Sequence, residues 1–332
     1  MLAERSKKDI VLEYDKVRQK NIRHIYIEDD DYPEKLRGIP DAPIALLVAG
    51  SLPNPLVPSV AIIGARSCSE YGNYMAREYA SALSGAGIQI ISGMAAGIDG
   101  IAQTSALSAG GRSFAVLGNG PDVCYPRSNE SLYRRLLLNG GIISEYCLGS
   151  SGLPWHFPVR NRIISGLSDA LLVMEAKEKS GTLITVDSAL EQGRDIYALP
   201  GRTCDKLSSG CNNLIRQGAG ILIDPEEFLG EFLHTLSSVG AYSGFLKAKS
   251  SLVRTPLTEH KNGSELRISF SSPEEKCVYD ILDFNPKSMD QIVSAVNSSI
   301  PMPLPIVLQR LTGLCMKGLV ENISGTNYRR KV

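Results

Sequence analysis

Near the middle of the chain, a short stretch places two phosphate-binding side chains close to an aromatic ring. In the stretch FPVRNR, Phe157 precedes Arg160 by three residues, and one residue separates Arg160 from Arg162. A guanidinium group binds phosphate oxygens bidentately, and an aromatic ring offers a face on which a base can stack. Two interpretations stay open: a core aromatic beside surface charges, or a site for single-stranded nucleic acid.

A second stretch, KSGT at 179–182, has the pattern of an anion site. It follows residues 170–174, which are apolar without alternation as in a buried strand, and it precedes a helical pattern at 183–192. A small-residue turn between strand and helix directs backbone N–H groups and the positive end of the helix dipole at an anion. We therefore predict phosphate contacts in this turn, at Lys179, Ser180, Gly181 and Thr182.

A further turn, Gly64-Ala-Arg66, follows a strand pattern at 60–63. An arginine there can cap or pair locally, but beside a glycine turn its geometry favours a phosphate or base contact. The turn is not GxGxxG, no acidic residue closes the second strand, and GxxxxGK[ST] occurs nowhere. Dinucleotide and Walker-type nucleotide sites are therefore not predicted.

Strand and helix patterns alternate through the region that contains these turns. The alternation predicts an α/β fold with a Rossmann-like, doubly wound, mostly parallel sheet. Ligands bind beyond the carboxyl ends of the strands in such sheets. The turns that follow strands should converge at that edge, and they begin at Gly64, Ser92, Gly118 and Ser180.

Four segments are predicted. Residues 1–58 form a lead-in that docks on the Rossmann-like domain at 59–236. Residues 237–271 are rich in Ser, Gly and Lys and carry a net charge of +3, which favours a solvated linker over a nucleic-acid contact. Residues 272–332 have the pattern of three helices and a hairpin, as in a winged-helix domain. Its third helix carries only Arg310 and Lys317, so protein binding and DNA binding are equally open.

Composition excludes several classes of protein. Lys+Arg and Asp+Glu are both 35, so any nucleic-acid site must be a local patch. No apolar stretch is long enough to cross a bilayer, and the polar N-terminus lacks a signal-peptide core. The seven cysteines lack a CxxC pair and the four histidines lack metal-ligand spacing, so neither a metal site nor a disulfide scaffold is predicted. A reducing cytoplasm suits such thiols.

Three further expectations concern individual side chains. Ser180 and Thr182 lack a neighbouring base that the sequence can assign, so no catalytic residue is predicted. Asp99 should cap or brace its turn. Trp155 and His156 should pack.

Taken together in chain order, these motifs resemble the DNA-processing protein A family (DprA, also called Smf). The matching stretches cover most of residues 30–225 with the family's spacing. They are IIGAR at 62–66, SGMAAGID at 92–99, LGNGPDVCYP at 117–126, FPVRNRIISGLS at 157–168, EAKEKSGTLIT at 175–185, ALPG at 198–201 and GCNNLIRQGA at 210–219.

The resemblance implies a module that binds single-stranded DNA, protects incoming strands and loads the RecA recombinase, in natural transformation (competence) or general recombination. It implies no catalysis, no cofactor, and a homodimer formed through the region Leu214 to Leu233. The family often has His where this chain has Gln103. The N-terminus is shorter than in members with a helix-hairpin-helix-like domain. The implied pocket adds backbone donors of the KSGT turn to Gly64, Arg66, Arg127, Phe157, Arg160 and Arg162.

Two alternatives belong to other classes. Nucleoside-monophosphate phosphoribohydrolases resemble the chain at the Gly181-Thr182 helix start, but their PGGxGTxxE signature needs Glu where this chain has Thr185. The next acidic residue, Asp187, lies two residues further on, on another side of a helix. A scaffold for protein partners with a vestigial pocket is the third interpretation, and the clustered arginines argue against it.

Overall fold

A nine-stranded sheet is the centre of the first of two units, Met1–Leu252 and Val253–Val332. The computed structural model describes residues 14–252, 270, 272–283, 286–323 and 327–330. The strands of the first unit are β1 Ile22–Tyr26, β2 Ala45–Gly50, β3 Ser59–Ile63, β4 Gln89–Ser92, β5 Ser113–Leu117, β6 Gly140–Ser144, β7 Ala170–Val173, β8 Asp195–Ala198 and β9 Gly220–Ile221.

The sheet is doubly wound and mostly parallel, which confirms the predicted fold class. Its strand order is β1-β2-β6-β5-β4-β3-β7-β8-β9, and every pair from β6 to β9 is parallel. β1 and β2 form an antiparallel pair, and β2 lies antiparallel to β6. The predicted lead-in at 1–58 therefore contributes two strands to the sheet. Strand β2 joins it by pairing with β6, and β1 joins it by pairing with β2.

Helices cover both faces of this sheet. Alternate residues of β3 point to opposite layers: Ala61 and Ile63 lie in one apolar cluster, and Val60 and Ile62 in the other. The helices are α1 Glu34–Arg37, α2 Glu70–Gly85, α3 Ile98–Ser108, α4 Glu130–Asn139, α5 His156–Gly166, α6 Gly181–Glu191, α7 Ser209–Arg216, α8 Pro225–Ser238 and α9 Ser243–Leu252. The first cluster includes residues of α1, α5, α6 and α7, and the second includes residues of α2, α3 and α8.

Helix α9 corrects the predicted extent of the linker at 237–271. Tyr242 and Phe245 pack against the apolar cluster of the first unit. The Tyr242 hydroxyl donates to the Asp169 carboxylate at 2.8 Å, and Lys35 Nζ lies 2.8 Å from the same carboxylate. The part of the predicted linker that lies before residue 253 is thus held on the first unit. Apart from Phe270, the rest of it lies outside the described residues.

The second unit contains three helices and a small antiparallel sheet around its own apolar core. The elements occur in the order predicted for residues 272–332, with one additional short strand, β10; the winged-helix assignment itself stays a prediction. Ser288 caps the second helix with a capping box. The elements are α10 Pro273–Ile281, β10 Lys287–Ser288, α11 Met289–Ser299, α12 Leu304–Met316, β11 Val320–Asn322 and β12 Asn327–Arg330. Across the residues described in the two units, no helix has the length and apolar character needed to span a membrane.

Candidate functional site

Turns at the carboxyl edge of the sheet enclose a cavity of about 300 Å³. The turn after β3 contributes Gly64 and Arg66, the turn after β4 contributes Ala95, and the first turn of α3 contributes Asp99. The N-terminus of α6 supplies Ser180, Gly181 and Thr182, and the first turns of α5 close the cavity on the remaining side. Of the four turns predicted to converge at this edge, those that begin at Gly64, Ser92 and Ser180 contribute residues to the cavity, and the turn at Gly118 does not.

Two glycines allow the turns after β3 and β4 to pack backbone against backbone. A Cβ on Gly64 would lie 2.7 Å from the Ile98 side chain. Gly97 has φ +76°, and a Cβ there would lie 2.3 Å from the carbonyl oxygen of Ala65. The Ile98 N–H donates to that same oxygen at 3.2 Å. The position of Arg66 is thus fixed by a contact that only glycine permits at residue 97.

The N-terminus of α6 lines the cavity and is suited to an anion. Ser180 is its N-cap and accepts a hydrogen bond from the Thr182 N–H at 3.2 Å. The first turn of the helix carries no acidic residue, so no side chain of that turn competes for the positive end of the dipole. Lys179 is exposed at the start of the turn and does not line the cavity.

Arg66 is the exposed cation at the cavity mouth. Its guanidinium carbon lies 5.3 Å from the centroid of the Phe157 ring. Within the described parts of the chain, no carboxylate pairs with Arg66 and no group accepts a hydrogen bond from it. The charge is therefore available to a ligand, and the aromatic ring holds the side chain at the mouth.

Arg127 is exposed but does not line the cavity. It begins a single 3₁₀ turn before α4, two residues after Tyr125. The Tyr125 ring lies 5.6 Å from the Phe157 ring, so the Tyr125 segment reaches the same side of α5 as the cavity. This geometry places Arg127 on a segment beside the site and not inside it.

Arg160 is buried, and its donors serve the protein interior. Its Nη1 donates to the carbonyl oxygens of Gly93, at 3.1 Å, and Val116, and its Nε donates to Asn161 at 3.2 Å. Asp99, also buried, accepts from the Gly93 N–H at 3.1 Å, which is the bracing role predicted for it. Burial lowers the pKa of Arg160 to about 10 and raises the pKa of Asp99, and the attraction between their charges opposes both shifts. Arg160 also lines the cavity, but its Nη1 and Nε are engaged inside the protein, and the phosphate contact at Arg160 stays a prediction.

Arg162 lies outside the cavity. Its Nη2 donates to both carboxylate oxygens of Glu145 at 2.9 Å, and its Nε donates to the carbonyl of Asp41 at 2.8 Å. Residues two apart on a helix face different sides, so Arg160 and Arg162 could not both point into one cavity. The predicted pocket included both arginines, and this geometry brings only Arg160 to the cavity.

Phe157 lines the cavity, but little of its ring is open. A Cβ on Gly118 or on Gly152 would lie 2.9 Å from the ring, and the Arg66 and Arg160 guanidiniums lie within 6 Å of its centroid, at 5.3 and 5.9 Å. Trp155 was expected to pack, yet it is 65% exposed. The sequence gives no periodic signal that separates these two aromatics, because Trp155 is the N-cap of α5 and Phe157 lies in its first turn.

The remaining lining residues explain why the hydrolase alternative is not favoured. Thr185 is buried against the cavity, at the position where that class of enzyme carries Glu, and Asp187 is exposed elsewhere on α6. The sequence pattern marks Thr185 only by the Glu that it replaces, and it carries no signal for Asn161 or Ile184, which also line the cavity. Among the described residues, no group of three metal-ligating side chains occurs.

Comparison with known proteins gives one family. The family described as DNA recombination-mediator protein A matches residues 23–233. DNA processing protein DprA of Streptococcus pneumoniae is 43% identical over 206 residues, which are 62% of this chain and 73% of that protein. Protein Smf of Synechocystis is 35% identical over 327 residues, which are 94% of this chain and 81% of that protein.

Two solved structures are also similar. The X-ray structure of DprA from S. pneumoniae has a TM-score of 0.62 and 38% identity, and covers 68% of this chain and 80% of its own. A structure that describes the single-stranded DNA binding mode of DNA processing protein A from Helicobacter pylori has a TM-score of 0.58 and 28% identity. It covers 64% of this chain and 97% of its own.

Proposed function

The chain belongs to the DNA recombination-mediator protein A family, and from that premise we propose that it binds single-stranded DNA, protects incoming strands and loads the RecA recombinase onto them. The family's description is that of a mediator and not of an enzyme. The observation that carries the proposal is the cavity, where the exposed Arg66 stands at the mouth and the N-terminus of α6 forms one wall.

One phosphate of the strand would sit at the N-terminus of α6. The backbone N–H of Gly181 and the helix dipole would bind it, and Arg66 would neutralise it from the mouth. Gly64 lets the β3 turn approach without a side chain in the way. The opening between α5 and the turns would admit one strand and exclude a duplex.

The predicted residues would have different roles in this mechanism. Arg127 and Lys179, both exposed, would contact phosphates outside the cavity. Phe157 would hold Arg66 in place as the apolar wall of the mouth. Arg160 would act through Gly93 and Asp99, by fixing the turn after β4, and Arg162 would act through Glu145 at a separate surface.

Dimerisation and hand-off complete the proposal. The region Leu214 to Leu233 contains the edge strand β9, where Ile221 is 48% exposed and Ile223 beside it is 64% exposed. Apolar side chains at an open sheet edge favour a homodimer through this region. A dimer would hold two stretches of strand and pass them to the recombinase in the bacterial cytoplasm, during natural transformation or general recombination.

The second unit favours a protein partner over DNA. Arg310 lies 3.7 Å from Glu274, Lys317 lies 2.9 Å from Glu275, and Arg329 lies 2.8 Å from Glu321. These pairs leave α12 and the hairpin with little uncompensated positive charge among the described residues. A helix that reads DNA normally offers free cations to phosphates.

The test is fluorescence anisotropy of labelled single-stranded and duplex oligonucleotides across a salt series. We expect a strong preference for single strands. Arg66→Ala should weaken binding to all sequences alike and reduce the salt slope by roughly one unit, because one phosphate contact is lost. Arg112→Ala is the matched control, since Arg112 is exposed just before β5, at the opposite edge of the sheet. If the wild-type chain bound neither form of DNA, the proposal would fall, and glycosidic cleavage of nucleoside monophosphates would be assayed instead.

A further inference from the structure

An aromatic surface beside the cavity is not used by the mechanism above. We call it the outer ledge; it consists of Trp155, His156 and Tyr146. The rings of Trp155 and His156 meet edge to face, with centroids 6.1 Å apart and planes at 86°. The rings of His156 and Tyr146 stack at 4.0 Å. The exposed indole of Trp155 therefore packs on the His156 ring, which is itself stacked on Tyr146.

The base of the outer ledge is held rigidly. His156 Nδ1 donates to the carbonyl of Gly118 at 3.1 Å, in the turn after β5. The Tyr146 hydroxyl donates to the His156 carbonyl at 3.3 Å. These bonds join the ledge to the carboxyl edge of the sheet, where the cavity lies. Trp155 is the one tryptophan in the sequence, and its exposure leaves a large apolar face in water.

Phe157 cannot offer a comparable face. Two glycine backbones border its ring, and the guanidinium groups of Arg66 and Arg160 lie close to it. Trp155 and Phe157 are two residues apart at the start of α5, so their side chains face different sides. Phe157 lines the cavity, whereas Trp155 points outside it and next to its mouth.

We propose that Trp155 is a stacking platform for a base of single-stranded DNA, next to the nucleotide whose phosphate lies in the cavity. The inference rests on the proposed function and adds a residue to that site. A base of the bound strand is the expected occupant because the outer ledge is continuous with the cavity. Pro154, which precedes Trp155, lines the cavity, and the exposed cation of Arg66 lies at the same mouth. An indole face stacks on any base, so the contact does not select sequence. Paired bases in a duplex hide their faces, so Trp155 adds to the preference for single strands.

The single tryptophan makes a direct experiment possible. Titrating the full chain with unlabelled oligothymidylate should quench the fluorescence of Trp155. The quenching should saturate over the same DNA concentrations as binding measured by the anisotropy of a labelled strand, and a duplex should not cause it. Trp155→Ala should weaken single-strand binding by roughly five- to 150-fold with the salt slope unchanged, because stacking is not ionic. Trp155→Phe should retain part of the affinity. Leu56→Ala, which removes an exposed apolar side chain in the loop before β3, is the matched control and should bind as wild type does.

The outcomes separate this proposal from the one on which it rests. If single strands bind and Arg66→Ala weakens them, but saturation leaves Trp155 emission unchanged or Trp155→Ala binds within twofold of wild type, the platform is refuted and the proposed function stands. If the wild-type chain binds no single-stranded DNA, the proposed function fails and the platform fails with it. Circular dichroism of both Trp155 variants shows that any loss is not due to unfolding, and the quenching titration needs no variant.

Discussion

Replacing Arg160 by methionine is expected to weaken the fold, although the sequence places this residue in a motif that suggests DNA binding. Methionine keeps the apolar volume and removes the charge and the donors. The lost hydrogen bonds join Gly93, just after β4, to Val116 in β5. Asp99 would stay buried without the positive charge that opposes its desolvation. The loss of stability should therefore be concentrated in the turns that line the cavity.

The magnitude follows from the burial of both charges. A Cβ on Gly93 would lie 2.7 Å from Arg160 Nη2 and 2.7 Å from Asp99 Oδ2, so the two charged groups flank one glycine. Removing one member of a buried pair of opposite charges costs about 3–5 kcal/mol, because the other is left uncompensated. Typical domains have a free energy of unfolding of about 5–15 kcal/mol, so Arg160→Met should be folded but strongly destabilised.

The loss should depend on pH. Burial raises the pKa of Asp99, and removing Arg160 removes the largest influence that opposes this rise. A carboxyl group with a raised pKa in the folded state contributes stability that is present below its unfolded pKa, about 3.9, and lost as pH rises through the folded pKa. The gap in unfolding free energy between wild type and Arg160→Met should therefore be wider at neutral pH than at acidic pH.

Urea denaturation followed by circular dichroism at several pH values measures this gap. Asp99→Asn combined with Arg160→Met should cost less than the sum of the two single changes, with a coupling of about 0.5–3 kcal/mol. Arg66→Met is the matched control: it removes an exposed arginine at the same cavity, and should shift the unfolding free energy by at most about 0.5 kcal/mol. If Arg160→Met unfolds like wild type but loses DNA binding and flattens the salt slope, Arg160 is a phosphate contact and the reasoning is wrong.

Two further substitutions test the contacts that frame the site. In urea denaturation, Gly97→Ala should lower the free energy of unfolding more than Gly110→Ala does. Both glycines have positive φ, at +76° and +79°, but only a Cβ at residue 97 would meet backbone atoms. Equal losses in the two variants would mean that the positive φ alone accounts for the cost. Tyr242→Phe should lower the free energy of unfolding by about 1.5–3 kcal/mol, because it removes a hydrogen bond to the Asp169 carboxylate. The same change should hasten proteolysis within α9, and unchanged cleavage would show that this bond does not hold the helix.

The parallel part of the sheet could be predicted because its strands are short apolar runs between small-residue turns. The pattern around residues 60–63 corresponds to β3, Ser59–Ile63, with the predicted helix behind it. The antiparallel strands β1 and β2 were missed as strands of this sheet, since β2 pairs with β6 about ninety residues later and local pattern does not reveal such a partner. Composition also misled the linker prediction, because Ser, Gly and Lys are common in α9, and the packing contacts come from Phe245 within it and from Tyr242 just before it.

The site was predictable to the level of turns but not of side chains. Strand-then-turn order places Gly64 and Ser180 at one edge, and the structure has both at the cavity. Spacing on α5 shows that Arg160 and Arg162 face different sides, but it does not show which one is buried. That depends on partners distant in sequence: Asp99 for one, and Glu145 for the other. The exposure of Trp155 likewise depends on the turn after β5, to which its neighbour His156 is bonded.

The different surroundings of the basic residues limit how much of the binding energy can be ionic. Arg160 is buried beside Asp99 and bonded to backbone carbonyls, and Arg162 pairs with Glu145, whereas Arg66, Arg127 and Lys179 remain exposed. Three phosphate contacts correspond to a salt slope of about −2 per chain on single strands, and five would correspond to about −3.5. A shallow slope leaves the rest of the affinity to contacts that salt does not screen, namely the backbone donors of α6 and the face of Trp155. A chain with no net charge can hold a polyanion in this way, because it needs no basic surface beyond the rim of one cavity.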